Sequence, residues 1–168
     1  MTPLPAILGG GELTGWRLDL ARHGATWDSG EGAFLSGGRW NSPGVRAVYC
    51  ALDPATAILE VAVHKTFRIL DTVAHTLTRF TVLEPAAVHV VQPSDVPNPN
   101  WLHPGIPSPG QRQFGDDLLA RHKFVVFPSV VSSHSWNLLF VASLAAGAYG
   151  DVEQERFALD PRLHTAAP

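Results

Sequence analysis

The chain has 168 residues, of which 45% are hydrophobic and 16% charged, the size and composition of one globular domain. Its strongly apolar runs, such as residues 125–127 and 138–142, are far shorter than the roughly 20 residues of a membrane-spanning helix. The chain contains twelve Lys and Arg and fifteen Asp and Glu, which gives a formal net charge of -3. Proteins that bind nucleic acid through its phosphates usually carry a basic excess. We therefore expect neither a membrane span nor direct nucleic-acid binding.

The compartment and the ligand class follow from a few residue types. No signal-peptide pattern opens the chain and Cys50 is its only cysteine, so the cytoplasm is the expected location. Lys65 and Lys123 are the only lysines, and the remaining basic residues are arginines, which suit a bidentate grip on carboxylate or phosphate. This bias has two explanations, a small anionic ligand or the codon usage of a GC-rich genome.

The first third of the chain predicts loops, one strand and one helix. Residues 9–11 and 29–44 are rich in glycine and other turn formers, which predicts irregular loops around short strands. Residues 45–50 are β-prone. The Asp-Pro pair at residues 53–54 supplies an N-cap followed by proline at the first helical position, so we expect a helix over residues 54–67.

The rest of the chain predicts mainly strands. Alternating polarity indicates a strand over residues 72–83 and another near residues 87–91. The proline-rich residues 93–110 predict a long surface loop, either a functional lid or a place where sequence drift is tolerated. The last predicted elements are a helix over residues 114–121 and strands over 124–131, 137–141 and 156–159. Strands dominate without a repeat or a domain boundary, which predicts one α+β domain over residues 1–168.

Glu60 is the strongest physical anomaly of the sequence. It is the only polar residue within residues 57–63, so the predicted helix is apolar almost all round except for one carboxylate. A buried carboxylate is costly unless it is paired or hydrogen-bonded. Glu60 therefore meets an arginine, faces a pocket, or lies on a small solvent-exposed stripe, and periodicity alone leaves these alternatives open.

A second cluster precedes the strand at residues 45–50. Its sequence is Gly-Gly-Arg-Trp-Asn-Ser-Pro-Gly over residues 37–44. Glycines let a ligand approach the backbone, Arg39 suits a pyrophosphate, and Trp40 offers a stacking face or a rigid wall. The alternative is a hairpin-like turn with a salt-bridged arginine, because this is neither a Walker nor a Rossmann glycine pattern.

These segments, taken together, resemble the RES-domain toxins. The resemblance runs from about residue 16 to residue 163, and the Gly-Gly-Arg-Trp-Asn segment with a glutamate about twenty residues later is its most specific part. The segments that carry it are residues 30–33, 37–44, 48–51, 57–61, 115–116, 127–131, 136–139 and 157–163. The chain is thus identified as a member of this family.

The resemblance implies a fold similar to ADP-ribosyltransferases of the diphtheria-toxin type, with mixed or antiparallel sheets and few helices. RES domains are toxins of bacterial toxin–antitoxin pairs, and their usual partner is an Xre-like antitoxin with a helix-turn-helix. They act on NAD+ by cleaving the nicotinamide–ribose bond, and the acceptor of ADP-ribose is water, phosphate or a host protein target. The alternative function is a catalytically idle binding module that partners a DNA-binding antitoxin.

The resemblance also implies roles for individual residues. Glu60 is the candidate that stabilises the positive charge on the ribose as nicotinamide leaves. The other catalytic candidates are Arg39 and Tyr49, and the candidate NAD+ contacts are Arg17, Arg39, Trp40, Tyr49 and Ser129. The Tyr49 ring has the alternative of packing in the core, and Ser129 that of capping its own backbone. The histidines show no ligand spacing, so no metal site is expected.

Overall fold

Seven strands carry most of the fold in residues 11–163, the part of the chain that the computed structural model describes. Residues 1–8, on which the expectation about a signal peptide rests, and residues 9–10 of the first glycine segment lie outside this range. The strands are β1 (Leu13–Leu20), β2 (Ala47–Ala51), β3 (His75–Val82), β4 (Val88–Val90), β5 (Phe124–Pro128), β6 (Trp136–Val141) and β7 (Tyr149–Phe157). Three α-helices accompany them, α1 (Glu31–Ser36), α2 (Pro54–Thr72) and α3 (Pro109–Arg121).

The strands form one mixed sheet in the order β4–β5–β6–β2–β1–β3–β7. β4 and β5 are parallel, and the other neighbours are antiparallel. The predicted α+β class, with a mixed sheet and few helices, is confirmed. None of the helices within residues 11–163 has both the length and the apolar character needed to cross a membrane.

The sheet is loosest between β1 and β2. These strands share a single residue pair, Trp16 with Ala51, whereas β1 follows β3 from Leu13 to Leu20 and β2 follows β6 over its whole length. β1 and β2 therefore diverge, so backbone groups along their facing edges depend on side chains for partners.

Side chains alternate between the two faces of the sheet. In β6, Leu138 and Phe140 pack in one core cluster with Trp27, while Leu139 packs on the opposite face beneath α3. The same helix-bearing face holds a third cluster, in which α2 covers Leu18 of β1. The apolar clusters under α3 and α2 thus meet on one face of the sheet, and a polar group can be held between them.

Helix α2 begins as the sequence predicts. The Asp53 side chain accepts a hydrogen bond from the Thr56 backbone N at 2.8 Å, which confirms the N-cap. The helix is longer than the predicted residues 54–67 because it continues to Thr72 beyond a kink at Thr66, where φ is 68°. Leu70, beyond the kink, is buried, so packing against the sheet restores the helix after the break.

Other boundaries differ from the predictions for local reasons. Helix α1 lies inside the predicted loop at residues 29–44, bracketed by Gly30 and Gly37 at positive φ. Helix α3 begins at Pro109 rather than residue 114, because Ser108 caps it by accepting a hydrogen bond from the Gln111 backbone N. Of the predicted strand over residues 156–159, only residues 156 and 157 are in a strand, the end of β7. The rest of β7 precedes them, and its exposed charged side chains conceal it in the sequence.

Candidate active site

The Glu60 carboxylate is held by one of its two oxygens. Oε1 accepts a hydrogen bond from Ser129 Oγ at 2.9 Å and another from Asn137 Nδ2 at 2.7 Å. Oε2 accepts none from residues 11–163, and it is not among the enclosed polar atoms without a partner. Of the alternatives that the sequence left open for Glu60, pairing with an arginine is not the one found: two neutral donors hold the carboxylate. The arrangement fixes the carboxylate and leaves one oxygen free to face a ligand.

One of these donors lies in strand β6, and the other directly follows its neighbour β5. Asn137 lies in β6 opposite Phe127 of β5, and Ser129 directly follows β5. The fully buried Ser129 hydroxyl also accepts a hydrogen bond from the Ser132 backbone N at 3.2 Å. This contact directs the hydroxyl proton toward Glu60. The backbone contact that the sequence left as the alternative for Ser129 is therefore present, and the same hydroxyl also holds Glu60. The predicted contact of Ser129 with NAD+ stays a prediction.

Arg39 is a cation without a carboxylate partner. Its Nη1 donates to the Trp101 backbone O at 3.0 Å, and none of the ion pairs in the described part of the chain includes it. Burial lowers the pKa of Arg39, and the nearby negative charge of Glu60 acts in the opposite direction. The guanidinium stays protonated at neutral pH, because arginine pKa values lie above about 12. A guanidinium with no carboxylate partner among residues 11–163 therefore lies within electrostatic range of Glu60.

The segment that carries Arg39 is fastened by Tyr49 and Asn41. The Tyr49 hydroxyl donates to Asn41 Oδ1 at 2.6 Å and accepts from the Trp40 backbone N at 3.0 Å. Burial raises the pKa of Tyr49, so the phenol stays protonated at neutral pH. A Cβ at Gly38 would lie 2.4 Å from the Tyr49 hydroxyl oxygen. Glycine is required there for the tyrosine to reach the loop.

Trp40 does not present its ring to a ligand. It is 1% exposed and stacks on Phe127 with ring centroids 4.3 Å apart, while Trp101 packs at 5.9 Å. The prediction of Trp40 as an NAD+ contact is therefore wrong for this structure, because hydrophobic burial takes the ring into the core. The buried ring instead fixes the backbone directly after Arg39.

Arg17 is held by partners within the protein. Its Nε and Nη2 donate to the two carboxylate oxygens of Asp19 at 2.7 and 2.8 Å. Its Nη1 donates to the Tyr49 backbone O at 2.6 Å, across the divergence of β1 and β2. A phosphate reaching Arg17 has to compete with the Asp19 carboxylate.

Sequence reasoning missed two residues of this site. Asn137 is a polar residue inside the apolar strand β6, a signal comparable to that of Glu60. Trp101 lies in the proline-rich segment at residues 93–110, and its burial together with its carbonyl contact to Arg39 ties that segment to the site. Residues 11–163 contain no cluster of three or more His, Cys, Asp or Glu side chains suited to a metal ion.

Comparison with known proteins identifies the family. Residues 14–162 match the family model described as the RES domain. The chain belongs to the RES-domain family. A RES-domain relative named Toxin Res, from Yersinia enterocolitica, is 30% identical over 156 residues, which cover 88% of this chain and 97% of that protein. Another, named Prs ADP-ribosylating toxin, from a Sphingobium species, is 33% identical over 132 residues, covering 74% and 79% of the two chains.

A solved RES-like structure supports the fold. The crystal structure of the MbcT–MbcA toxin–antitoxin complex of M. tuberculosis contains a chain that matches with a TM-score of 0.62. The match covers 88% of this chain and 85% of that one at 20% identity. A chain of that toxin–antitoxin complex thus has a similar overall fold.

Proposed function

We propose that this RES-domain protein is the toxin of a toxin–antitoxin pair and cleaves the nicotinamide–ribose bond of NAD+. One observation carries the proposal: the Glu60 carboxylate is fixed through Oε1 by two donors, accepts no hydrogen bond at Oε2 from residues 11–163, and lies within electrostatic range of Arg39, which has no carboxylate partner among those residues. A preorganised carboxylate of this kind suits a reaction in which positive charge develops on a sugar.

Each of the named residues has a role in the proposed cleavage of the nicotinamide–ribose bond. As nicotinamide departs with the electron pair of the C–N bond, the ribose becomes cationic, and Glu60 Oε2 stabilises that charge. Arg39 binds the diphosphate through charge-assisted hydrogen bonds. Tyr49 keeps the Arg39 segment in place and offers its ring to nicotinamide, Ser129 holds the carboxylate, and Arg17 contacts a phosphate if Asp19 yields. No metal takes part.

The acceptor of ADP-ribose is a protein side chain in the form of the proposal that we favour. The name of the Sphingobium relative, an ADP-ribosylating toxin, supports transfer to a protein. The contact between Arg39 and Trp101 also supports it, because it links the site to a long surface segment suited to recognising a target. Water and phosphate are the competing acceptors, and both would deplete NAD+. Mass spectrometry of cell proteins for added ADP-ribose distinguishes transfer from depletion.

The proposed partner is an Xre-like antitoxin in the cytoplasm. The structural relative comes from a toxin–antitoxin complex, and an enzyme that consumes NAD+ must be restrained in its own cell. An antitoxin carboxylate placed against Arg39 would imitate a substrate phosphate. Direct contact of the toxin with nucleic acid is not part of the proposal, since the chain carries a net charge of -3.

The purified wild-type protein should release nicotinamide from NAD+. The assay is chromatographic, with the protein alone, with phosphate, and with cell lysate as a source of protein acceptors. Release in any arm supports the cleavage reaction, and the arm that is fastest identifies the acceptor. Absence of release in every arm, from protein freed of antitoxin, would leave the idle binding module as the function.

Arg39→Ala should raise the KM for NAD+ by about 10- to 100-fold, because hydrogen bonds to charged groups contribute about 1.5–3 kcal/mol. Steady-state nicotinamide release measures the change. Arg68→Ala is the matched control, since Arg68 is an exposed arginine of α2.

Titration calorimetry of Arg39→Ala with the antitoxin tests whether Arg39 binds both NAD+ and the antitoxin. If Arg39→Ala weakens NAD+ binding but not antitoxin binding, the antitoxin carboxylate does not lie against Arg39.

A further inference from the structure

Asn137 is a polar side chain in the apolar centre of the sheet. It is 8% exposed, and the rest of β6 from Trp136 to Phe140 is apolar and buried. Its neighbours across the flanking strands, Ala51 and Phe127, have no polar side-chain atom to offer it. An amide in such a place is destabilising unless its hydrogen bonds are made.

Only half of this amide is satisfied. Nδ2 donates to Glu60 Oε1 at 2.7 Å, while Oδ1 is enclosed and has no partner among residues 11–163. The orientation of the amide follows from the charge, because an amide oxygen turned toward the carboxylate would repel it. Because Asn137 donates an N–H group to Glu60, its amide oxygen has no hydrogen-bond donor among residues 11–163.

We propose that Asn137 is a positioning residue that fixes the rotation of the Glu60 carboxylate. This inference rests on the proposed cleavage of NAD+. Ser129 alone leaves the carboxylate free to pivot about a single hydrogen bond. A second donor on the same oxygen, from the neighbouring strand, removes that freedom and keeps Oε2 directed toward the reacting ribose. Pre-orientation of this kind lowers the barrier to the chemical step without changing the binding of substrate.

The isosteric variant Asn137→Asp tests this role through kinetics. It replaces the donor with a carboxylate that repels Glu60, so kcat should fall by about 10- to 100-fold while the KM for NAD+ stays within about twofold of wild type. The activity relative to wild type should recover as the pH is lowered from 8 to 5, because the introduced carboxyl can donate once protonated. A purely structural role predicts that activity recovers only in step with Tm, whereas the positioning role predicts a recovery of kcat at a temperature where the variant is folded at every pH. Gln113→Glu, the same amide-to-acid change at an exposed position of α3, is the control.

A second variant covers the risk that Asn137→Asp does not fold. Asn137→Leu removes both the donor and the unsatisfied acceptor, so kcat should fall by a similar factor while Tm stays equal to wild type or rises. Wild-type kcat in both variants, or a change confined to KM, would overturn the positioning role even though wild-type protein cleaves NAD+. Absence of nicotinamide release from wild type would instead refute the proposed function, and this inference with it.

Discussion

Glu60→Gln should abolish NAD+ cleavage and leave the protein folded. The amide oxygen of glutamine can still accept from Ser129 and Asn137, so the contacts at Oε1 are retained. At the other position, the change replaces a negative oxygen with the neutral NH2 group of an amide, which offers no negative charge to a developing cation. We expect nicotinamide release to fall by at least about 100- to 1000-fold, the usual effect of losing one preorganised electrostatic stabiliser.

Two measurements separate this chemical role from a structural one. Thermal unfolding should give a Tm within about 2 °C of wild type, corresponding to no more than about 1 kcal/mol. Glu155→Gln on the exposed strand β7 makes the same chemical change away from the site and should retain full activity. A Glu60→Gln protein that releases nicotinamide at the wild-type rate would show that the carboxylate charge takes no part in the reaction.

Trp40→Ala should cause the largest loss of stability. The ring is enclosed between Phe127 and Trp101, and truncation of a buried aromatic residue costs about 3–5 kcal/mol. Domains of this size are stable by about 5–15 kcal/mol, so a large part of the free energy of unfolding should be lost. Urea denaturation followed by circular dichroism measures the loss.

Two comparison variants sharpen this prediction. Trp40→Phe keeps an aromatic ring over Phe127 and should be much less destabilising than Trp40→Ala. Ile106→Ala truncates a side chain that is 94% exposed and should change stability by less than about 0.5 kcal/mol. A Trp40→Ala protein with wild-type stability and a raised KM for NAD+ would return the ring to the ligand-binding role that the sequence suggested.

Local signals of the sequence predicted the local parts of the structure. The Asp53 cap and the proline after it set the start of α2, because capping involves only adjacent residues. Glu60, the only polar residue in its apolar run, stood out in the sequence as paired, facing a pocket or exposed on a small stripe. The identity of its partners, Ser129 and Asn137, depends on which strands lie side by side, and that information is absent from the spacing of residues along the chain.

Tertiary packing decided the features that the sequence left unpredicted. Trp40 has the same chemistry in a ligand pocket and in a core, and only the position of Phe127 on the neighbouring strand distinguishes the two. Helix α1 is concealed by the glycines that bracket it, since glycine usually indicates a loop. Strand β7 has one neighbour, β3, and its charged side chains suit an edge, so the alternation that reveals half-buried strands is missing.

The Glu60 carboxylate depends on residues that the ribosome adds much later. Ser129 and Asn137 follow it by 69 and 77 positions, and β6 must pair with β2 before Asn137 can reach it. Contacts of such separation form only after a large loop has closed. A chain interrupted before residue 136 therefore contains Glu60, Arg39 and Tyr49 but lacks the completed carboxylate site. At a synthesis rate of about 5–20 residues per second, the site can be completed only several seconds after Glu60 itself has been added.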